Sequence, residues 1–170
     1  MANTFTKIAT VTVGSGGASS IDFSSIPSTY TDLCLLLSLR SAGTGTPYAL
    51  MRFNGNASSY SNKRLNGNGA TAASGSPTNA YIILGVADTT SQTSNTFSNH
   101  LVFIPNYAGS NYKSVSSDNV QEDNSSTAYI YLMAGLWSNT SAITSIAITE
   151  EKSSNWGQYS TATLYGISNS

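Results

Sequence analysis

The chain has 170 residues, a length at which a single domain buries roughly two thirds of the surface exposed in the unfolded state. Only 9% of its residues are charged, against about 25% in an ordinary globular protein, and the formal net charge is −1. This composition excludes the strong electrostatic field that nucleic-acid or anionic-lipid binding requires, so we expect neither a nucleic acid nor a membrane as partner.

Alternating apolar and polar residues predict short β-strands along the whole chain. In chain order these predicted strands are Phe5–Val13, Ile21–Phe23, Thr31–Arg40, Tyr48–Phe53, Tyr60–Leu65, Ala80–Val86, Phe97–Ile104, Tyr112–Val120, Ala128–Trp137, Ile143–Thr149 and Thr161–Ile167. No segment of helical length has a convincing 3.6-residue period. The pattern predicts one domain over residues 1–170, all-β, folded as a two-sheet antiparallel β-sandwich of jelly-roll-like type.

Glycine-rich segments separate these strands. Gly14–Gly17 is typical of a turn, and the small-residue segment Ala70–Ser76 is predicted to be a loop. The pairs Asn54-Gly55 and Asn66-Gly67 favour the positive φ angles of tight turns. We expect a β-hairpin at each of these two pairs.

The predicted strand Thr31–Arg40 has a continuous apolar centre, Leu33–Leu37. Such a run is typical of a central strand buried on both faces. Within it, the thiol of Cys34 should behave as a small buried hydrophobe. The run also gives the chain more apolar sequence than an isolated module needs, which favours an oligomer.

The ionisable side chains do not form a recognisable catalytic or metal-binding motif. His100 is the only histidine, and general-base catalysis would require a nucleophile and an orienting acid near it. A histidine with ordinary hydrogen bonds at a strand edge is the simpler interpretation. We therefore predict no catalytic residue, no metal ligand and no cofactor.

Two alternatives to this interpretation involve acidic residues. Asp118, Glu122, Asp123 and Asn124 form the densest oxygen-rich patch, which predicts a solvated loop or, as the alternative, a weak calcium site without EF-hand spacing. A glycan-cleaving enzyme would require two carboxylates facing each other, such as Asp88 with Asp118 or Glu122.

Aromatic side chains beside Asn, Ser or Gly are the chain's best candidates for a binding site. Trp156, Tyr159, Tyr107 and Tyr112 have this setting, and flat aromatic faces flanked by amides can bind a glycan. Packing in the core or between subunits is the competing interpretation. Trp156 is the strongest candidate for glycan contact.

Several segments, taken in order, resemble a family of small virion structural proteins of tailed phages, including cyanophages. These segments are Ser25–Leu33, Met51–Gly55, Leu65–Gly69, Gly135–Trp137, Ala142–Ile146 and Ala162–Ile167. The resemblance implies a trimer-forming β-sandwich without enzymatic activity, of the capsid decoration, spike or fibre type.

From this resemblance we expect a non-enzymatic protein on the virion surface, made in the host cytoplasm. The strand pattern runs from Phe5 to Ile167 and shows no shaft, which favours a capsid decoration or short spike protein over a tail fibre. The expected partners are the major capsid protein or another virion protein, and other copies of the chain in a homotrimer. The alternative is a tail-fibre-type adhesin that recognises a host surface glycan.

Overall fold

A computed structural model describes residues 4–77, 80–125 and 128–168, and these form twelve β-strands and no helix. The strands are β1 Phe5–Thr12, β2 Ser20–Phe23, β3 Asp32–Leu39, β4 Tyr48–Phe53, β5 Tyr60–Gly67, β6 Ala72–Gly75, β7 Ile82–Val86, β8 Ser98–Ile104, β9 Lys113–Gln121, β10 Tyr129–Trp137, β11 Ile146–Glu150 and β12 Thr161–Ile167. They pair into two antiparallel sheets. The predicted all-β class and two-sheet antiparallel β-sandwich are confirmed.

The two sheets are unequal in size. The large sheet has eight strands in the order β1-β12-β3-β8-β9-β10-β5-β6, and the small sheet has four in the order β2-β11-β4-β7. Each strand of the small sheet lies in sequence between strands of the large sheet, so the chain crosses repeatedly from one sheet to the other. Such crossing between facing sheets is typical of a jelly-roll-like sandwich.

The edge strand β6 is the one strand that the sequence pattern missed. Its residues, Ala72–Gly75, fall in the segment Ala70–Ser76 that was predicted to be a loop. The prediction is wrong because this strand contributes no side chain to the core. Backbone pairing with β5 places it in the sheet instead.

The two Asn-Gly pairs behave differently. Asn54 and Gly55 have φ angles of 53° and 67°, and the backbone N–H of Asn56 donates to the carbonyl oxygen of Phe53 (2.9 Å). This is the expected tight turn, but β4 and β5 on either side of it belong to different sheets, so the predicted hairpin there is wrong. Asn66 and Gly67 are instead the last two residues of β5, paired with Ala73 and Ala72, and the chain turns over residues 68–71 to form the β5–β6 antiparallel hairpin.

The core fills the space between the sheets and is rich in aromatic rings. Trp137 and Trp156 are 1% and 0% exposed, and the Trp137 ring lies 5.5 Å from that of Phe53 and 6.2 Å from that of Tyr60. Such offset and tilted arrangements are favourable for aromatic pairs. The thiol of Cys34 is buried, as predicted.

Strand β3 is central to the large sheet, but it is not buried on both faces. Leu33, Leu35, Leu37 and Leu39 point into the core and are at most 3% exposed. Leu36 points the other way and is 46% exposed. The prediction of two buried faces is therefore wrong at Leu36, since no second layer covers the outer side of β3 in the described chain.

Candidate functional site

On its outer side, which faces away from the small sheet, the large sheet carries a group of seven exposed large apolar side chains on five neighbouring strands. We call this surface the outer apolar face, and it consists of Leu36, Leu65, Leu101, Phe103, Val120, Ile130 and Leu132. Their exposure ranges from 37% at Phe103 to 65% at Ile130. Because successive side chains in a strand point to opposite faces, the inward neighbours of these residues line the core while these residues face solvent.

The outer apolar face is nearly continuous across five neighbouring strands, from β3 through β8, β9 and β10 to β5. Three pairs of its side chains lie directly opposite each other in register: Leu36 with Leu101, Val120 with Ile130, and Leu65 with Leu132. Directly opposite side chains are close enough to touch. Asp118, opposite both Leu101 and Leu132, is the one charge in the middle of this surface.

The size of this surface is that of an interaction site. The exposed fractions of its seven residues add up to about three and a half fully exposed residues, or on the order of 500 Å² of accessible surface at roughly 150 Å² each. Contiguous apolar patches of this size on a monomer are often functional. A shallow groove of ≈ 320 Å³ between β5, β6 and β10, lined by Leu65, Ala72, Ile130 and Leu132 among others, could receive a partner's side chain.

The predicted glycan contacts Trp156 and Tyr107 lie inside the protein. Both side chains are 0% exposed. The indole Nε1–H of Trp156 donates to the carbonyl oxygen of Ile148 (3.0 Å), and the hydroxyl of Tyr107 donates to that of Pro27. Neither ring can touch a glycan, so the role predicted for these two residues is wrong and the competing interpretation as core residues is correct.

The other two predicted contacts are exposed but far apart. Tyr112 is 57% exposed and Tyr159 is 67% exposed. Tyr112 precedes β9, which begins beside the C-terminal end of β8, whereas Tyr159 precedes β12, which begins level with the N-terminal end of β8. The length of β8 separates them by about 20 Å. The structure therefore does not bring them together in one site.

His100 is a buried residue in the middle of the large sheet and not at a strand edge, so that part of the prediction is wrong. Its Nδ1–H donates to the carbonyl oxygen of Leu84 (3.1 Å), and Nε2 lies 3.1 Å from Ser98 Oγ and 3.3 Å from Asn119 Nδ2. Burial lowers the pKa of His100 to about 4, with a smaller opposing effect of the bond to Leu84. The imidazole is thus neutral at pH 7.

The contact between Ser98 and His100 superficially resembles a nucleophile with its base. A catalytic histidine is oriented by an acid on its other nitrogen and meets a substrate. In this protein the other nitrogen binds a backbone carbonyl, and both side chains are 0% exposed. The pair has the geometry of a structural hydrogen bond.

The polar side chains around His100 have a common structural role. Four side chains of the large sheet bind the outer backbone edge of β7: Asn62, His100, Ser117 and Asn119. Asn119 accepts from the N–H of Val86 (2.9 Å) and donates to its carbonyl oxygen (3.1 Å). These bonds replace a neighbouring strand, because β7 is an edge of the small sheet.

The acidic residues are arranged differently from both alternatives that the sequence left open. Asp118 and Glu122 are exposed, whereas Asp88 and Asp123 are 0% and 1% exposed. Asp88 in the interior cannot face Asp118 on the outer side of the sheet, so the carboxylate pair needed for glycan cleavage does not form. Asp123 is not a solvated loop residue, because its side chain is buried.

Among the described residues, no group of three or more histidine, cysteine, aspartate or glutamate side chains converges at one point. In the same part of the chain, no helix has the length and apolar character needed to cross a bilayer. Comparisons with protein-family models, curated proteins and solved structures gave no match. The outer apolar face is therefore the strongest candidate site that the molecule itself offers.

Proposed function

We propose that this chain is a non-enzymatic structural protein displayed on the surface of a bacteriophage particle, as a capsid decoration or short spike protein. In this proposal, copies of the chain form a homotrimer that buries the outer apolar face, and the trimer attaches to the major capsid protein or another virion protein. The particle is suggested by the family resemblance of the sequence segments. The assembly is suggested by the outer apolar face.

The outer apolar face is the observation that carries this proposal. Covering on the order of 500 Å² of apolar surface contributes about 12 kcal/mol per copy, at roughly 25 cal/mol per Å². Association costs about 4–15 kcal/mol in lost freedom of motion and ordering. The gain offsets this cost only if most of the outer apolar face is covered in each copy. A closed oligomer, in which every copy buries this face, meets the condition, whereas a contact that covers a small part of the face does not.

The scarcity of charge on this face supports the same proposal. In the described strands of the large sheet, the exposed outward charged residues are Lys7, Lys63 and Asp118, and only Asp118 lies among the apolar side chains. Desolvating charges is costly when copies assemble. Depletion of charge in the centre of a surface is typical of protein interfaces.

The decisive experiment is the mass of the purified protein in solution, measured by light scattering after size-exclusion chromatography at micromolar concentration. We expect three protomers for the wild-type chain. A triple variant, Leu101→Thr, Ile130→Thr and Leu132→Thr, should be a folded monomer, since threonine retains β-propensity but removes apolar area. Tyr112→Thr removes a similarly exposed side chain outside this face and should leave the trimer intact.

A wild-type monomer at tens of micromolar, or a triple variant that remains trimeric, would contradict assembly through this face. Electron microscopy of the virion tests the location. Density for the chain on the capsid is the expected result, and density confined to the tail tip would favour the adhesin alternative.

A further inference from the structure

Two buried carboxylates and a buried amide lie at one end of the sandwich. Asp88 follows β7, Gln121 ends β9 and Asp123 begins the turn towards β10, and they are 0%, 0% and 1% exposed. The Nε2–H of Gln121 donates to Asp88 Oδ1 (2.7 Å). Asp123 stands two residues after Gln121, and its charge acts on Asp88.

Each of these three side chains has an oxygen without a hydrogen-bond partner in the described structure. The three atoms are Asp88 Oδ2, Gln121 Oε1 and Asp123 Oδ2. The second carboxylate oxygen of Asp123 accepts the backbone N–H of Ser125 (3.0 Å). Asp88 and Gln121 are hydrogen-bonded to each other, and Asp123 is two residues along the chain from Gln121. Because buried polar atoms are nearly always paired, the unpaired oxygens on these three side chains indicate a missing ligand that accepts their lone pairs.

The protein does not supply an equivalent positive group. The nearest cation is Arg40, whose backbone bridges that of Asp88. Its guanidinium donates to the carbonyl oxygens of Thr93 (2.9 Å) and Thr96 (2.7 Å), and it makes no hydrogen bond to either carboxylate in the described structure. Burial raises the pKa of Asp88, the side chains of Gln121 and Thr96 oppose this rise, and the charges of Asp123 and Arg40 have smaller effects in opposite directions.

We propose that Asp88, Gln121 and Asp123 bind one calcium ion. Calcium accepts carboxylate and amide oxygens in irregular arrangements of six to eight ligands, and water would complete its coordination. Two carboxylates neutralise a divalent ion, which a buried water molecule could not achieve. Magnesium fits less well because it requires a nearly ideal octahedron and retains several water molecules.

The ion would connect the segment after β7 with the turn between β9 and β10, so it would link the small sheet to the large one at this end. This site differs from the predicted patch at Asp118, Glu122, Asp123 and Asn124, because it uses only Asp123 of that patch. The remaining ligands come from a strand end and from another loop. The inference is independent of the proposed function, since neither the outer apolar face nor the particle enters it.

The test is calcium binding by the purified full chain after treatment with a chelator. We expect one calcium per protomer by isothermal titration calorimetry. The unfolding temperature should rise with calcium and saturate, and it should respond at least tenfold more weakly to magnesium at matched ionic strength. Asp123→Asn removes a charge but conserves shape, and it should weaken calcium binding at least tenfold.

Glu122→Gln is the matched control, because it removes a charge from an exposed side chain next to Asp123 and leaves the residues of the outer apolar face unchanged. It should bind calcium as the wild-type chain does. The wild-type titration tests the site even if Asp123→Asn fails to fold. An absence of both calcium heat and a shift in unfolding temperature, or an equal loss of binding in Glu122→Gln, would overturn the proposal and leave a protonated or water-bridged cluster.

Discussion

Acidification should destabilise the protein through His100. Burial holds the pKa of this imidazole at about 4, whereas its ordinary value is 6.5. Between these two values the unfolded chain binds a proton that the folded chain excludes. The contribution of His100 to stability is therefore fully present above pH 6.5 and is lost as the pH falls towards 4.

The magnitude follows from the difference between the two pKa values. At about 1.4 kcal/mol per pKa unit, a difference of about 2.5 units corresponds to a loss of about 3 kcal/mol between pH 6.5 and 4. Asp88 acts in the opposite direction, because its raised pKa means that the folded state holds a proton more tightly above pH 3.8. The free energy of unfolding of the wild-type chain should thus fall less steeply with decreasing pH than His100 alone would make it fall.

The assay is urea unfolding at several pH values and one protomer concentration, followed by the fluorescence of the two buried tryptophans. His100→Asn retains an N–H that can donate to Leu84 but has no group that titrates in this range. Because the chain has one histidine, the difference in slope between wild type and variant isolates its contribution. Equal slopes for the two proteins would refute the assignment of a buried, neutral His100.

Five further substitutions test the interior and the exposed aromatic residues, with the free energy of unfolding measured in urea at pH 7. Gly85→Ala should cost about 1–3 kcal/mol, because Gly85 has a φ of 118° and an added Cβ would overlap the side chain of Asn119. Removing that side chain with Asn119→Ala should cost about 2–3 kcal/mol by leaving the buried backbone edge of β7 unpaired, and the two losses should not add. Trp156→Ala should cost about 3–5 kcal/mol, and a folded sample should retain any glycan binding that the wild type has. Tyr112→Ala and Tyr159→Ala should each change stability by less than about 0.5 kcal/mol, and a glycan array that loses signal with either variant would favour the adhesin alternative.

The strands were predictable because the local pattern and the tertiary structure agree in most of the chain. Tyr48–Phe53 and Thr161–Ile167 have the bounds that alternation indicated. The pairing partners were not predictable in the same way. Asn54-Gly55 forms the turn that its residue types favour, but a turn does not specify whether the chain returns to the same sheet.

The predicted glycan contact and the predicted burial of β3 were wrong because the same residue types occur both on surfaces and in buried positions. Asparagine and glycine beside Trp156 indicated a surface loop, yet the ring fills the core and its indole nitrogen binds Ile148. Likewise, the apolar run in β3 indicated burial on both faces, although Leu36 is exposed. Composition cannot distinguish a side chain buried by its own chain from one that another copy would cover.

The unequal size of the two sheets explains why the large sheet has buried polar residues on its inner side and exposed apolar residues on its outer side. The four-stranded sheet ends at β7, whose open backbone edge lies against the inner side of the large sheet, so Asn62, Ser117 and Asn119 are needed there. On the outer side of the same strands no second sheet exists in the described chain, and leucine, isoleucine and valine occupy it. An isolated sandwich would gain solubility from polar residues on that side. The apolar residues there are explained if another copy of the chain provides the missing layer, which is the assembly that the triple variant tests.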